Sequence, residues 1–305
     1  MEEVTWNLQF LSKNKLPQDR SGREISALSY SKLSLNDENV CEIAKALKKN
    51  NVFSGALDLS CNLTSDLGVL KLIKSMKTSS IQKLDLSFNN LNDRSGIYIG
   101  DYLGQPNSLK ELYLVGCNLE KDGLQRVVEN LKHSQLEAVG LGLVSDFGLG
   151  VLAEHVSGVD LKYLGLEEGS FWSEEAKSVF LSALKQNYSI LEIEVLTENH
   201  QEFLEDISSV VARNNNLFRE KQNKINLEHS SDPQSYSENL EFQIEASLQN
   251  LPVRVYLENA LGTALNDSIF ELTRFHRKQK DPQKNTAVKN IKWIARYIID
   301  KYVKE

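Results

Sequence analysis

The sequence predicts an α/β fold: a right-handed solenoid bent into a horseshoe, with parallel strands on the concave face and helices on the convex face, followed by a C-terminal helical domain or cap. Three observations carry this expectation. A pair of apolar residues separated by one position recurs seven times, starting at Leu28, Leu57, Leu84, Leu112, Val139, Leu164 and Ile193, in steps of 25–29 residues. An asparagine or cysteine stands five residues after three of those starts, at Asn62, Asn89 and Cys117. Between successive pairs lies a stretch whose apolar residues keep helical spacing. Such a period marks a solenoid, because one strand–helix unit cannot bury its apolar side alone and must stack on its neighbours.

Residues 1–24 precede the first copy and read as an N-terminal cap over the apolar edge that a first coil leaves open. The start, MEEVTWNLQF, is acidic and no apolar run follows it, so no secretory signal is expected. Leu16-Pro17 is similar to the start of an F-box, but the first repeat begins before such a helix set could be completed.

Residues 25–216 form the repeat region. Alternation within each pair sends both apolar residues to the interior, as in a short strand. Asn62 and Asn89 stand where the chain turns away from the strand. A side-chain amide there can satisfy buried backbone groups of its own and adjacent coils, worth roughly 1–3 kcal/mol. Cys117 fills the same slot with a small, weakly polar side chain that suits a buried turn. The helical stretch ENVCEIAKALKKN places Val40, Ile43 and Leu47 on one face. SEEAKSVFLSALKQN opens at Ser173 with Glu174 and Glu175 in its first turn, where the helix dipole favours acid. No proline interrupts a strand or helix; Pro106 lies in a connection.

The clearest copy, IQKLDLSFNNLNDRSG from Ile81 to Gly96, resembles the ribonuclease-inhibitor type of leucine-rich repeat. The resemblance covers about seven repeats over 25–216 and implies a strand and a helix in each. Leu33, Val144 and Gly169 depart from it at the asparagine position, so the amide ladder is expected to break at both ends.

After Asn216 the leucine rhythm stops. Residues 217–236, with the polar run NLEHSSDPQSYSEN, read as a linker. Residues 237–305 read as three helices, marked by Leu240, Ile244 and Leu248, by Leu257 to Leu272 in steps of about four, and by Val288, Ile291, Ala295 and Ile298. They form either a small helical domain or a cap on the open end of the solenoid.

The net charge of −7 hides an asymmetry. From Arg274 onward there are 10 Lys and Arg against 3 Asp and Glu, so an acidic body carries a basic tail. That tail could contact nucleic-acid phosphates, lie on an anionic membrane, dock on the acidic body, or be a solvated helix face. No run is long and apolar enough to span a bilayer. Three cysteines without a CxxC spacing point to a reducing compartment rather than to disulfides or zinc. The Asn-x-Ser/Thr sites at Asn62, Asn187 and Asn266 are then chance matches.

Catalytic motifs are missing: there is no phosphate-binding loop, no HExxH, no GxSxG, and the five histidines are scattered. Some bacterial repeat proteins carry a cysteine-dependent ubiquitin ligase after the repeats, but here the C-terminal third has no cysteine. The expectation is a non-enzymatic chain with no cofactor and no metal. Regulators of the GTPase-activating kind are similar in fold and stand as an alternative, as does nucleic-acid binding by the basic C-terminal helices.

Residues flanking the inward leucines should line the concave face. These are Asp58, Asp85, Phe88, Glu111, Tyr113, Glu137, Tyr163, Glu167, Glu168, Glu192 and Glu194. Phe88, Tyr113 and Tyr163 are the expected aromatic anchors, and Gly140, Gly142 and Gly165 are expected to leave room for another chain. Rings supply desolvated area and charges steer encounter, so the face reads as a protein-binding patch for a basic or mixed surface. The layout of loosely kept repeats with a helical tail resembles effectors that intracellular bacteria deliver by type IV secretion. That resemblance implies a host-protein partner and export by a non-Sec route.

Overall fold

The computed structural model describes residues 2–119, 121–197 and 200–229. The chain divides into the unit described here, Met1–Ile225, and a second, Asn226–Glu305. The helices expected over 237–305 and the basic run from Arg274 lie outside the described residues.

Helix α1 (Glu2–Leu11) opens the unit. Strands and helices then alternate: β1 (Ala27–Ser29), α2 (Asp37–Lys48), β2 (Ala56–Asp58), α3 (Asp66–Met76), β3 (Lys83–Asp85), α4 (Asp93–Leu103), β4 (Glu111–Leu114) and α5 (Lys121–Leu131). The series continues with β5 (Ala138–Val144), α6 (Asp146–His155), β6 (Tyr163–Glu168), α7 (Glu174–Leu184), β7 (Glu192–Leu196) and α8 (Gln201–His229). The strands form one parallel sheet in the order of the chain. The seven pair starts lie opposite one another in unbroken register, Leu28 on Leu57, Leu57 on Leu84, and so on to Leu164 on Ile193. The architecture is the α/β leucine-rich-repeat solenoid that the period predicts.

The register follows from burial. A one-residue slip would turn every leucine of a strand out of the core. Leu57, Leu59, Leu84, Leu86, Leu112 and Leu114 are fully enclosed between sheet and helices, against Val40, Ile43 and Leu47 of α2 and their counterparts. Each such side chain contributes roughly 1.5–3 kcal/mol. Adjacent helices approach closely where side chains are missing: a Cβ on Gly96 of α4 would lie 2.6 Å from the Gly123 Cα of α5.

The turn that ends each strand recurs as one device. Lys32, Cys61, Phe88, Gly116 and Leu143, each four residues past a pair start, all have positive φ, between 49° and 63°. Only one of them is glycine, so the other four hold a conformation that costs an L-residue roughly 1–2 kcal/mol. The next residue supports the turn. Asn62 Nδ2 donates to the carbonyls of Tyr30, Leu59 and Ser60, while its Oδ1 accepts from the Leu33 and Leu35 amides. Asn89 repeats this one coil on, donating to Leu59, Leu86 and Ser87 and accepting from Thr64 N. Cys117 Sγ keeps one such bond, to Leu86 O at 3.4 Å. The ladder ends at Val144, and there the Trp172 indole donates to the Val144 carbonyl at 2.7 Å.

Both ends of the stack are covered. Val4 and Leu11 of α1 enter the core, and Asn50 Nδ2 ties the first coil to Leu11 O and Lys15 O. At the other end Phe203, Ile207 and Val210 of α8 pack onto the last coil. Asn214 and Asn215 donate to the carbonyls of Ile190 and Leu191, which lead into β7. The linker expected from residue 217 is helical as far as His229. The sequence LFREKQNKINLEH holds no proline or glycine to stop a helix, so the end of the leucine rhythm does not end the helix.

Candidate functional site

The concave face is built from the residues just before and just after each pair start, which pleating sends away from the leucines. One row runs Lys83, Glu111, Ala138, Tyr163, Glu192, and the next runs Asp58, Asp85, Tyr113, Gly140, Gly165, Glu194. The sheet therefore collects the expected residues on one surface, but it does not leave all of them open.

Tyr113 and Tyr163 are 2% and 3% exposed and, with Ala138, form an apolar cluster of their own outside the main core. Their rings lie 6.3 Å apart. Tyr113 Oη donates to Glu111 at 3.0 Å, and Lys83 Nζ bonds the same carboxylate at 2.7 Å while standing 4.9 Å above the Tyr113 ring. Tyr163 Oη donates to Glu194 at 2.7 Å. Burial first, then these carboxylates, push both phenols well above the usual range. The two rings are thus internal packing of the face and not the free anchors expected of them. The reason is the glycines. A Cβ on Gly165 would meet Tyr163 Oη at 2.9 Å, so the space expected to admit another chain is filled by this ring. Gly142 leaves room of a different kind, since its missing Cβ would lie 2.5 Å from Gly116 N. That amide instead donates to Glu167 Oε2, which reaches across from two coils away, at 2.6 Å. Phe88 is half-buried, and a Cβ on Gly116 would meet its ring at 2.4 Å.

The acids differ in state. Asp85 is 2% exposed, and burial followed by the neighbouring Asp58 charge raises its carboxyl to about 6. Its Oδ1 accepts from Ser87 N at 2.9 Å. Asp58 is half-buried and accepts from Ser60 N at 2.9 Å. Glu192 is held above the usual carboxylate range by burial and then by Glu194, and Glu194 by burial against a weaker opposing bond from Tyr163. Glu137 is exposed and pairs with Lys110 at 3.5 Å. Glu168 leaves this group: it turns to the rim, accepting from Trp172 N, from Thr197 Oγ1 and from His200 Nε2 at 2.9 Å. Burial raises its carboxyl, but those three bonds outweigh burial and hold it low.

Two residues around these acids, Lys83 and His200, carry no repeat signal. Lys83 sits in a row of mixed character, and only the register puts it beside Glu111. His200 is enclosed between Trp172, whose ring stacks on it at 6.2 Å, and Lys177, whose Nζ lies 2.9 Å from Nδ1. Asp37, Asp66 and Asp93 each bond the following coil, to Ser65, Ser95 and Gly123. Their constant place nine residues after a pair start was a legible signal. Among the described residues no group of His, Cys, Asp or Glu is placed to hold a metal ion, and no helix is long and apolar enough to cross a membrane.

Residues 78–100, the third coil with its Asn89 turn, match the family model described as Leucine Rich repeat. No curated protein sequence matches the chain. Among solved structures, the actin-binding site 2 of leiomodin-1 aligns over 73% of this chain and 96% of its own, at 14% identity and a TM-score of 0.35. The C-terminal domain of tropomodulin from Caenorhabditis elegans aligns over 72% and 98%, at 10% identity and a TM-score of 0.36. At that distance neither relative bears on what this chain binds.

Proposed function

We propose that this chain is a non-catalytic protein-binding module whose concave face, in its C-terminal half, receives a basic surface of a partner protein. The observation that supports this reading is the crowding of Glu192 and Glu194, with carboxyls raised by burial and, for Glu192, by its neighbour. Half-buried acids with no ion pair among the described residues cost stability, and a partner's Lys or Arg would offset that cost. The finer reading makes the partner a host protein and the chain a bacterial effector delivered by a non-Sec route. It draws only on the resemblance of layout.

The test is capture of partners on immobilised full-length protein, comparing wild type with Glu192→Lys/Glu194→Lys. A protein held by wild type and lost by the variant supports the concave site. Equal capture by both removes it. A partner taken from eukaryotic lysate and not from bacterial lysate supports the effector reading, and the reverse result refutes it.

A further inference from the structure

Coils five and six leave an apolar patch open on the rim where strands end and helices begin. Leu143, Phe147 and Phe171 are exposed there, Phe171 at 71%. The coils are laced together beneath them: Gly169 N donates to Val144 O at 2.9 Å and Ser173 N to Asp146 Oδ1 at 2.9 Å. Gly169 is tight against Leu143, since a Cβ there would fall 2.2 Å from the Leu143 carbonyl oxygen.

Two features separate this patch from scattered surface apolar residues. Leu143 holds the positive-φ turn position that Lys32, Cys61, Phe88 and Gly116 hold in the other coils, and here that position carries a leucine that is 37% exposed and outside the main core. Phe171 is held from behind by His200, ring centroids 4.9 Å apart, so it is presented rather than loose. The surroundings are acidic: Asp122, Asp146, Glu174 and Glu175 are exposed. Two cations of the chain lie close by: Lys121 stands 5.6 Å over the Phe147 ring, and Lys177, buried and bonded to Glu174 and His200, stands 6.0 Å over the Phe171 ring.

We infer that this rim docks a segment of a partner protein that carries aliphatic or aromatic anchors flanked by Lys or Arg. The inference rests on the protein-binding reading above and moves the apolar anchor from the buried tyrosines to the rim. Asp122 and Glu175 are the acids that would pair with the flanking Lys and Arg, and with Asp146 they would repel nucleic acid and anionic lipid.

The test is fluorescence anisotropy of the full-length protein with a labelled synthetic helical peptide having one leucine face and one lysine face. A control peptide carries glutamate in place of lysine. Wild type should bind the lysine peptide and not the control. Phe147→Ser/Phe171→Ser should weaken binding by roughly tenfold or more at unchanged Tm. Leu143→Gly, which relieves the backbone, should also weaken binding without lowering Tm. The inference is overturned if wild type does not bind the lysine peptide, if both peptides bind alike, or if both sets of rim variants bind like wild type. It is also overturned if the protein instead binds a single-stranded oligonucleotide or phosphatidylserine vesicles. Glu192→Gln/Glu194→Gln separates the two readings. Binding lost there and kept in the rim variants leaves the concave site and removes the rim; the opposite pattern removes the concave site.

Discussion

Replacing Asp85 with asparagine should stabilise the protein, and the gain should disappear in mild acid. Asp85 titrates at about 6 in the fold against 3.8 when exposed, because burial and the Asp58 charge both disfavour its ionised form. The folded state therefore holds a proton that the unfolded state has released across that interval. Stability falls as pH rises from about 4 to about 6, and the full penalty stands above that. At 1.36 kcal/mol per pH unit the penalty at neutral pH is roughly 3 kcal/mol. Asparagine keeps an acceptor for Ser87 N and carries no charge for Asp58 to repel. Asp85→Asn is accordingly expected to gain about 1–3 kcal/mol at pH 7 and close to nothing at pH 4. Urea unfolding of both proteins at the two pH values measures this. A variant less stable at pH 7, or one whose gain is the same at both, would refute the assignment of a buried, repelled carboxylate.

Four further outcomes follow from the same geometry. Leu86→Ala, at a fully buried position, should cost roughly 2–5 kcal/mol in urea unfolding, and a change below about 0.5 would contradict its inward placement. Tyr113→Ala should cost roughly 2–4 kcal/mol, because its ring is enclosed and holds Glu111, whereas Tyr113→Phe should cost about 1 kcal/mol or less. Asn89→Ala should cost roughly 1–3 kcal/mol by taking the acceptor from the buried Thr64 amide and one donor from each of the carbonyls of Leu59, Leu86 and Ser87. The Cys117 thiol, pushed up to about 12 by burial, should resist alkylation at pH 8 until the protein unfolds; rapid labelling of the native protein would show the turn to be open.

The repeat was legible in the sequence because its physics is local and periodic. Leu84 and Leu86 alternate because a strand does, and Asn89 follows at a fixed distance because the same turn closes each coil. Even the helix of the last coil shows its apolar spacing at Phe203, Ile207 and Val210. The positions of the strands and the identity of the inward face needed nothing else. What the sequence could not decide was which outward residues stay outward. Tyr113 and Tyr163 occupy strand positions that point away from the leucines, yet their rings are covered. Whether an outward ring stays open depends on what stands beside it in the neighbouring coils: Lys83 over Tyr113, and Glu194 beside Tyr163. Those neighbours lie 30 and 31 residues away in the chain. Gly142 likewise reads as open space until Glu167 is seen crossing it to Gly116. Pattern along the chain sets the direction of a side chain, and only stacking between coils sets its exposure, its partners and its charge.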